Sequence, residues 1–508
     1  MAGTLGTYVV EIDWGNIGTF TGTGDNVTSR ALFTTWIRGR DKESQLTGRS
    51  QASRLTLLLN NDSGDYEDLN SGGPLFGSLE PARKIRIRAT APTAETLYTG
   101  FIESITPRAD LRQLNIAEVA AIGPLGYINQ DQIDIPLLLN VPTDKAVGTI
   151  LDKASWPSAD RSISTGQTTL TRFWRSDTYA MNALRAVEVS ENGFIFETKD
   201  GKIGFHDRHA RLKSPFTLSQ DTFTDSSTGT LGYSNLVSVN PLPFIFNSIE
   251  IPVITYSTAA LGTLWKMGVA SADFPPIAPN GGTLVIWARH PNETSTLNVV
   301  AVDDWVTPTA TADFTFNETT AGTGTNVTTA SNIVVEKFSQ AMKMTWTNTG
   351  SLAGFLTFSQ ARGNALTQTS ALIREEDSDS QTAHGRRKYP SPAEFIPTIA
   401  EARDGALWIL RVNKDKVPLI QMTVSGNRDS THMKSIMSRD INDRITVIGT
   451  GSRSLRMDQT DFYIESERHV IDSHRRHTVT YGCSKAEGFS DWWTLNTSKL
   501  GTTTIPGY

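Results

Sequence analysis

Apolar and polar residues alternate along much of the first 124 positions. Tyr8-Val9-Val10-Glu11-Ile12-Asp13-Trp14, the segment Ser53 to Asn60, Lys84-Ile85-Arg86-Ile87-Arg88-Ala89 and the segment Leu97 to Ile105 all read as strands. The Lys-Ile-Arg-Ile-Arg run has a period of two, so one face is apolar and the other charged. A charged outer face also blunts a sheet edge. Turn sequences separate the strands, at Asn60-Asn61-Asp62-Ser63-Gly64 and Asn70-Ser71-Gly72-Gly73-Pro74. Short strands joined by Gly-rich turns predict a small β-barrel or sandwich over residues 1–124.

The pattern then mixes. Over residues 125–254, Thr143 is placed to cap a helix running to Lys153, with Pro157 beyond its end. Ala180, Leu184 and Val187 share one face of a second helix, about Ala180 to Glu191, which Gly193 is expected to stop. Phe194 to Thr198 resumes as strand, and Lys199-Asp200-Gly201-Lys202 turns into Ile203-Gly204-Phe205. Residues 255–362 are rich in Thr, Asn, Gly and Ala and carry no helix pattern. Strands such as Thr283 to Ala288 and Met342 to Thr347 predict an inserted β-sandwich, with Thr319 to Ser331 as a loop.

In residues 363–482, Ser391-Pro392-Ala393-Glu394 has the form of a capping box with Pro at the first helical position. It predicts a helix ending at Gly405, followed by a buried strand from Leu407 to Val412. Arg444 to Ile448, Asp461 to Glu467 and the return strand His477 to Tyr481 complete the region. Residues 483–508 read as an irregular tail segment. Its Trp492, Trp493 and Tyr508 suit stacking on sugars, anchoring a neighbouring subunit, or covering a small local core. There is no regular internal repeat. The whole reads as a mainly β, multidomain chain with a few helices.

Composition narrows the function classes. The 508 residues suggest three or four domains. Formal charge is -6, from 47 basic and 53 acidic side chains, which argues against nucleic-acid binding through a broad basic surface. The single Cys483 excludes an intramolecular disulfide and a multi-thiolate zinc site, and reads as packed rather than nucleophilic. Met1 to Ile12 has no signal-peptide pattern, and no apolar run reaches the roughly 18 residues of a membrane span. The expectation is a protein made soluble in a cytoplasm.

Candidate chemistry is sparse. His469, His474 and His477 with Asp472 have donors for a borderline metal, against a plain solvated hairpin tip. His206 and His209 around Asp207 and Arg208 form a second cluster, whose simpler reading is a strand-end salt bridge. Asp303-Asp304 and Glu375-Glu376-Asp377 offer carboxylates for glycoside hydrolysis, but neighbours on a strand point to opposite faces. Gly22-Thr23-Gly24-Asp25 lacks the Lys-Ser/Thr of a phosphate loop and reads as a turn. No nucleophile elbow, zinc-protease helix or EF-hand loop occurs.

One resemblance spans most of the chain in patches. Trp36-Ile37-Arg38-Gly39-Arg40-Asp41, Leu46-Thr47-Gly48, the segment Leu55 to Asn61, and Gly72 to Arg83 with its Pro74-Leu75-Phe76-Gly77 loop resemble phage minor tail proteins of the baseplate hub or tail-tip hub family. Gly193-Phe194-Ile195-Phe196, Asp200 to Arg208, Ser438 to Val447 and Phe462-Tyr463-Ile464-Glu465 continue the resemblance in the same order. It implies a homotrimer with two tail-tube-like β-barrels per subunit, matching a hexameric tube, and the inserted sandwich as an outward decoration. It implies contacts with a tail tube or distal tail protein, the tape-measure protein, and tail fibre or receptor-binding proteins, with DNA only in transit. It carries no catalytic residue and no cofactor, and places the chain in the virion tail tip, assembled in the host bacterial cytoplasm. Two rivals stand beside this structural role. One is a carbohydrate-binding adhesin stacking sugars on Trp287, Trp305 and Trp346; the other is a glycan-degrading tail enzyme using Asp303 or Asp304.

Overall fold

The computed structural model describes residues 5–40, 50–109, 114–130, 132–225, 231–239, 242–267, 274–290, 299–416, 418–451 and 455–486. The alternating segments of the N-terminal region are strands. They run Thr7–Ile12, Lys84–Ala91, Glu95–Arg108, Ile116–Ile122, Arg54–Asn60 and Ala31–Gly39 in sheet order, each antiparallel to the next. The period-two reading of Lys84–Ala91 holds: Ile85, Ile87 and Ala89 are buried, while Arg86 and Arg88 both bind the Glu11 carboxylate, at 2.8 and 3.0 Å.

This sheet continues into the far end of the chain. Ala31–Gly39 pairs antiparallel with Arg456–Ile471, from Thr34 opposite Ile471 to Gly39 opposite Ser466. Arg456–Ile471 in turn pairs with Arg444–Thr450 and His477–Lys485. Beyond them lie Leu419–Ser425 with Asn235–Val239, and Asp221–Thr224 with Leu231–Gly232. Thirteen strands thus form one sheet, six from the N-terminal region and seven from later in the chain. A single core joins them, with Trp14, Trp36, Leu57, Ile87 and Tyr98 packed with Phe223, Met433, Val447, Phe462 and Tyr481. Burying each such large side chain contributes about 1.5–3 kcal/mol, so the core binds the two groups together.

Between the two groups, helices Thr143–Lys153 and Ala180–Glu191 pack on the strand pair Gln132–Pro142 and Thr169–Tyr179 and on a small sheet of Phe194–Glu197, Ile203–His206 and Arg161–Ile163. Both predicted helices are present, with two corrections at their ends. Thr143 is the first helical residue rather than the cap; it is buried, and its hydroxyl donates to Glu191 at 2.8 Å instead of serving the helix. The second helix ends on Asn192, which takes the left-handed conformation at φ 54°, and Gly193 follows.

The insertion is built from two facing sheets around Trp305, Phe314, Phe316, Met344, Trp346 and Leu356. One sheet holds Thr283–Arg289, Ala341–Asn348 and Ser331–Lys337. In the other, the long strand Phe355–Glu376 pairs with Gly262–Lys266, Val299–Trp305, Phe314–Asn317 and Ser248–Thr258. Positions 255 and 362 therefore fall inside strands that run on toward the rest of the chain. The loop around Thr319 is ordered by Asn317, whose amide donates to the Gly324 carbonyl and whose carbonyl accepts from the N–H groups of Thr319 and Gly324.

The largest departure from the sequence pattern lies after it. Ser391 to Glu394 is not helical; the helix is Ile399–Asn413, capped by Thr398, whose hydroxyl accepts from the Glu401 N–H at 3.1 Å. Gly405 lies buried inside this helix, and Leu407 to Val412, predicted as strand, are its later turns. Its buried face packs on Ser248–Thr258, because that strand exposes Ile249, Ile251 and Val253 to it.

Candidate functional site

The seam between Ala31–Gly39 and Arg456–Ile471 carries charge into the core. Arg38 sits on the buried face of its strand, and its guanidinium is almost fully enclosed. Its Nε and Nη2 donate to Glu467 Oε1 at 2.9 and 2.6 Å, Nη2 also donates to Asp440 at 2.6 Å, and Nη1 donates to the Glu197 carbonyl at 2.9 Å. One guanidinium thus ties together the N-terminal strands, the middle region and the C-terminal strands. Burial by itself raises the Glu467 carboxyl, but Arg38 and then His469 outweigh it and hold the group well below the usual carboxylate range. Lys199, at the hairpin of the middle region, donates its ammonium to the carbonyls of Met437 and Arg439. The Glu197 carboxylate accepts from the N–H groups of Ser53 and Leu125, at 3.0 and 2.8 Å, though burial still pushes its pKa up.

A chain of rings continues the seam. Trp36 stacks on His469, centroids 4.5 Å apart and planes 7° from parallel. His469 Nδ1 lies 2.9 Å from His477 Nε2, and His477 Nδ1 lies 2.9 Å from the Tyr8 hydroxyl. His469 Nε2 reaches Glu467 at 3.4 Å. Burial lowers the pKa of both imidazoles, that of His477 well below 6.5. The solvated-tip reading is therefore corrected for two of its members: His469 and His477 are core residues on adjacent strands. His474 is exposed, and Asp472 closes the turn by accepting from the N–H groups of His474 and Arg476. Among the described residues no group of three His, Cys, Asp or Glu is placed to hold a metal ion.

Beside the seam is a cavity of about 160 Å³. Arg40 lies over the Phe194 ring at 3.5 Å and pairs with Glu465 at 3.7 Å. Arg211 also pairs with Glu465, at 2.7 Å. Burial lowers the Arg40 pKa to about 10 against the opposing pull of Glu465. Trp408, Tyr389 and Phe244 complete an apolar wall.

The remaining sequence candidates disperse. His206 packs on Phe196 and Phe216 and meets the Asn442 amide at 3.1 Å. Asp207 pairs with Lys213 and Arg208 with Glu401, the salt-bridge pattern expected at a strand end. Asp303 faces Arg172 and Thr258, whereas Asp304 faces Lys337. Glu375, Glu376 and Asp377 bind Arg403, Arg386 and Lys414 in turn. Trp305 and Trp346 are core; Trp287 alone of the three is exposed, near Phe338 and Lys343. Cys483 is buried. Asp41, Leu46 to Gly48, Trp492, Trp493 and Tyr508 lie outside the described residues. Sequence reasoning missed Arg38, Lys199 and Glu467 as a unit. The available signal was phase, because Glu465, Glu467 and His469 share the alternation of Tyr463 and Ile471.

Neither a scan of protein-family models nor a search of curated proteins finds a match. Solved structures do match over nearly the whole chain. A tail protein from Neisseria meningitidis superposes with a TM-score of 0.51 at 9% identity, covering 96% of this chain and 98% of that one. The 43 kDa tail protein of prophage MuSo2 from Shewanella oneidensis gives 0.48 at 10% identity, covering 94% and 98%. A prophage tail protein from Listeria monocytogenes gives 0.42 at 8%, covering 94% of each. With its two strand groups fused through one buried seam, the chain has the fold of a tail protein, as its sequence resemblance implied.

Proposed function

We propose that this chain is a structural hub at the distal end of a phage tail, without catalytic activity of its own. The observation that carries the reading is the thirteen-stranded sheet, in which an N-terminal and a C-terminal strand group are locked side by side across the Arg38 seam. If each of the two groups meets the tube, three copies about an axis present six positions to a sixfold tube. In this role the homotrimer closes the tube end and meets the tube or distal tail protein on one side. It holds the end of the tape-measure protein, carries fibre or receptor-binding proteins, and opens for DNA exit. Rigid fusion of the two groups suits it, because a ring under load must keep their spacing fixed.

The test is the oligomeric state and symmetry of the purified full chain, by light scattering and electron microscopy, alone and with tube subunits. A threefold ring is expected. A monomer under both conditions refutes the reading.

A further inference from the structure

A cleft of about 530 Å³ lies where the strand Thr169–Tyr179, the start of the helix Ala180–Glu191, the insertion and the segment around Pro392 meet. The volume falls in the roughly 300–1,000 Å³ range of small-ligand sites. Trp174 lines it, half-buried, its ring in T-shaped contact with those of Tyr256 at 5.4 Å and Phe395 at 5.8 Å. The hydroxyls of Ser176 and Ser339, 2.5 Å apart, tie the strand to the insertion at the cleft.

Both cations in the cleft are already paired. Arg175 pairs with Glu394, and Arg185 with Glu188, each at 2.6 Å. Other polar groups are uncommitted. Among the described residues the side chains of Asp177, Thr178 and Asn182 make no hydrogen bond. Asp177 is held at φ 46°, a left-handed conformation that costs energy outside glycine, with its N–H donating to Asp134 at 3.0 Å. The helix opens here on Tyr179 with no side chain capping its first N–H groups.

These features select among ligand classes. An apolar ligand would leave the free amide, hydroxyl and carboxylate unpaired, which costs binding. An anion meets the Asp177 and Glu394 carboxylates, and a cation meets Arg175 and Arg185. A ligand with many hydroxyls and an apolar C–H face satisfies the amide, hydroxyl and carboxylate and covers the indole. We infer that this cleft binds a short neutral oligosaccharide, stacked on Trp174 and hydrogen-bonded by Asn182, Thr178 and Asp177. The inference is independent of the trimeric hub reading, since it needs only one chain.

The experiment titrates the full-length protein with maltotriose, cellotriose, chitotriose and trigalacturonate, following Trp fluorescence and calorimetric heat. At least one neutral trisaccharide should bind with a Kd on the order of 1 mM or tighter. Asn182→Ala, at an exposed position of a good helix, should weaken that binding about five- to tenfold while leaving the thermal midpoint unchanged. Trp287→Ala, on the outer face of the insertion, should not change it. The inference is overturned if no neutral sugar binds at about 20 mM, if Asn182→Ala binds as the parent does, if Trp287→Ala abolishes binding, or if trigalacturonate is preferred.

Discussion

Replacing Arg38 with Met removes the guanidinium from the seam while keeping a flexible side chain of similar length. Three acceptors lose a donor at once: Glu467, the Glu197 carbonyl and Asp440, which keeps the Ile441 N–H. Asp440 is partly exposed and rehydrates, so it adds little. Glu467 has no such escape, because its side chain is fully enclosed. Stranding one member of a buried pair costs about 3–5 kcal/mol. The orphaned carbonyl adds to that, so the expected loss is about 4 kcal/mol or more, a large share of the roughly 5–15 kcal/mol that holds most domains folded. Urea unfolding followed by Trp fluorescence reads it, since Trp36 is stacked on His469 in the same seam. The double variant Arg38→Met/Glu467→Gln removes the stranded charge and should recover at least half of the loss, because a neutral pair in that space carries no ionic desolvation cost. A single-variant loss below about 1 kcal/mol, typical of a solvated ion pair, refutes the argument. So does a double variant no more stable than Arg38→Met.

Acid should weaken the fold through His206, whose pKa burial pushes down to about 4, with Arg211 adding to the effect. The unfolded imidazole titrates near 6.5, so below about pH 6.5 the unfolded chain gains a proton that the folded chain refuses, and stability falls until about pH 4. The gap is worth about 3 kcal/mol, and His206→Phe should flatten the acid-side decline by up to that amount in denaturation curves between about pH 7 and about pH 4.5. Gly39→Ala should yield little folded protein on expression: Gly39 sits at φ 95°, and an added methyl would press on the Glu465 carbonyl oxygen across the seam. Trp346→Ala should cost about 3–5 kcal/mol by opening a cavity in the insertion core, whereas Trp287→Ala should stay within about 0.5 kcal/mol, both read as thermal midpoints.

What the sequence disclosed followed from how local each signal was. The strand Lys84–Ala91 declares itself because its burial repeats within five residues. The helix Ile399–Asn413 does not, although its buried positions Ala402, Gly405, Ala406, Ile409, Leu410 and Asn413 keep helical spacing. Two Ala, one Gly and one Asn give that face little apolar contrast, so Gly405 reads as a terminator and Leu407-Trp408-Ile409-Leu410 as a strand core. The true start, Thr398-Ile399-Ala400-Glu401, has the same Ser/Thr-x-x-Glu form that drew attention to Ser391 to Glu394; Pro397 before it excludes an earlier helix. The seam was harder still. His477 finds Tyr8 across 469 positions, and Arg38 finds Glu467 across 429, so no local window contains either partner. Thr143 shows the same competition on a smaller scale: a residue suited to capping gives its hydroxyl to the buried Glu191 carboxylate, which also accepts from the N–H groups of Gln167 and Thr168. Thr398 serves its own helix, whereas Thr143, Arg38 and His477 answer to buried partners far along the chain. That is why the periodic strands could be placed from sequence and the residues that lock them together could not.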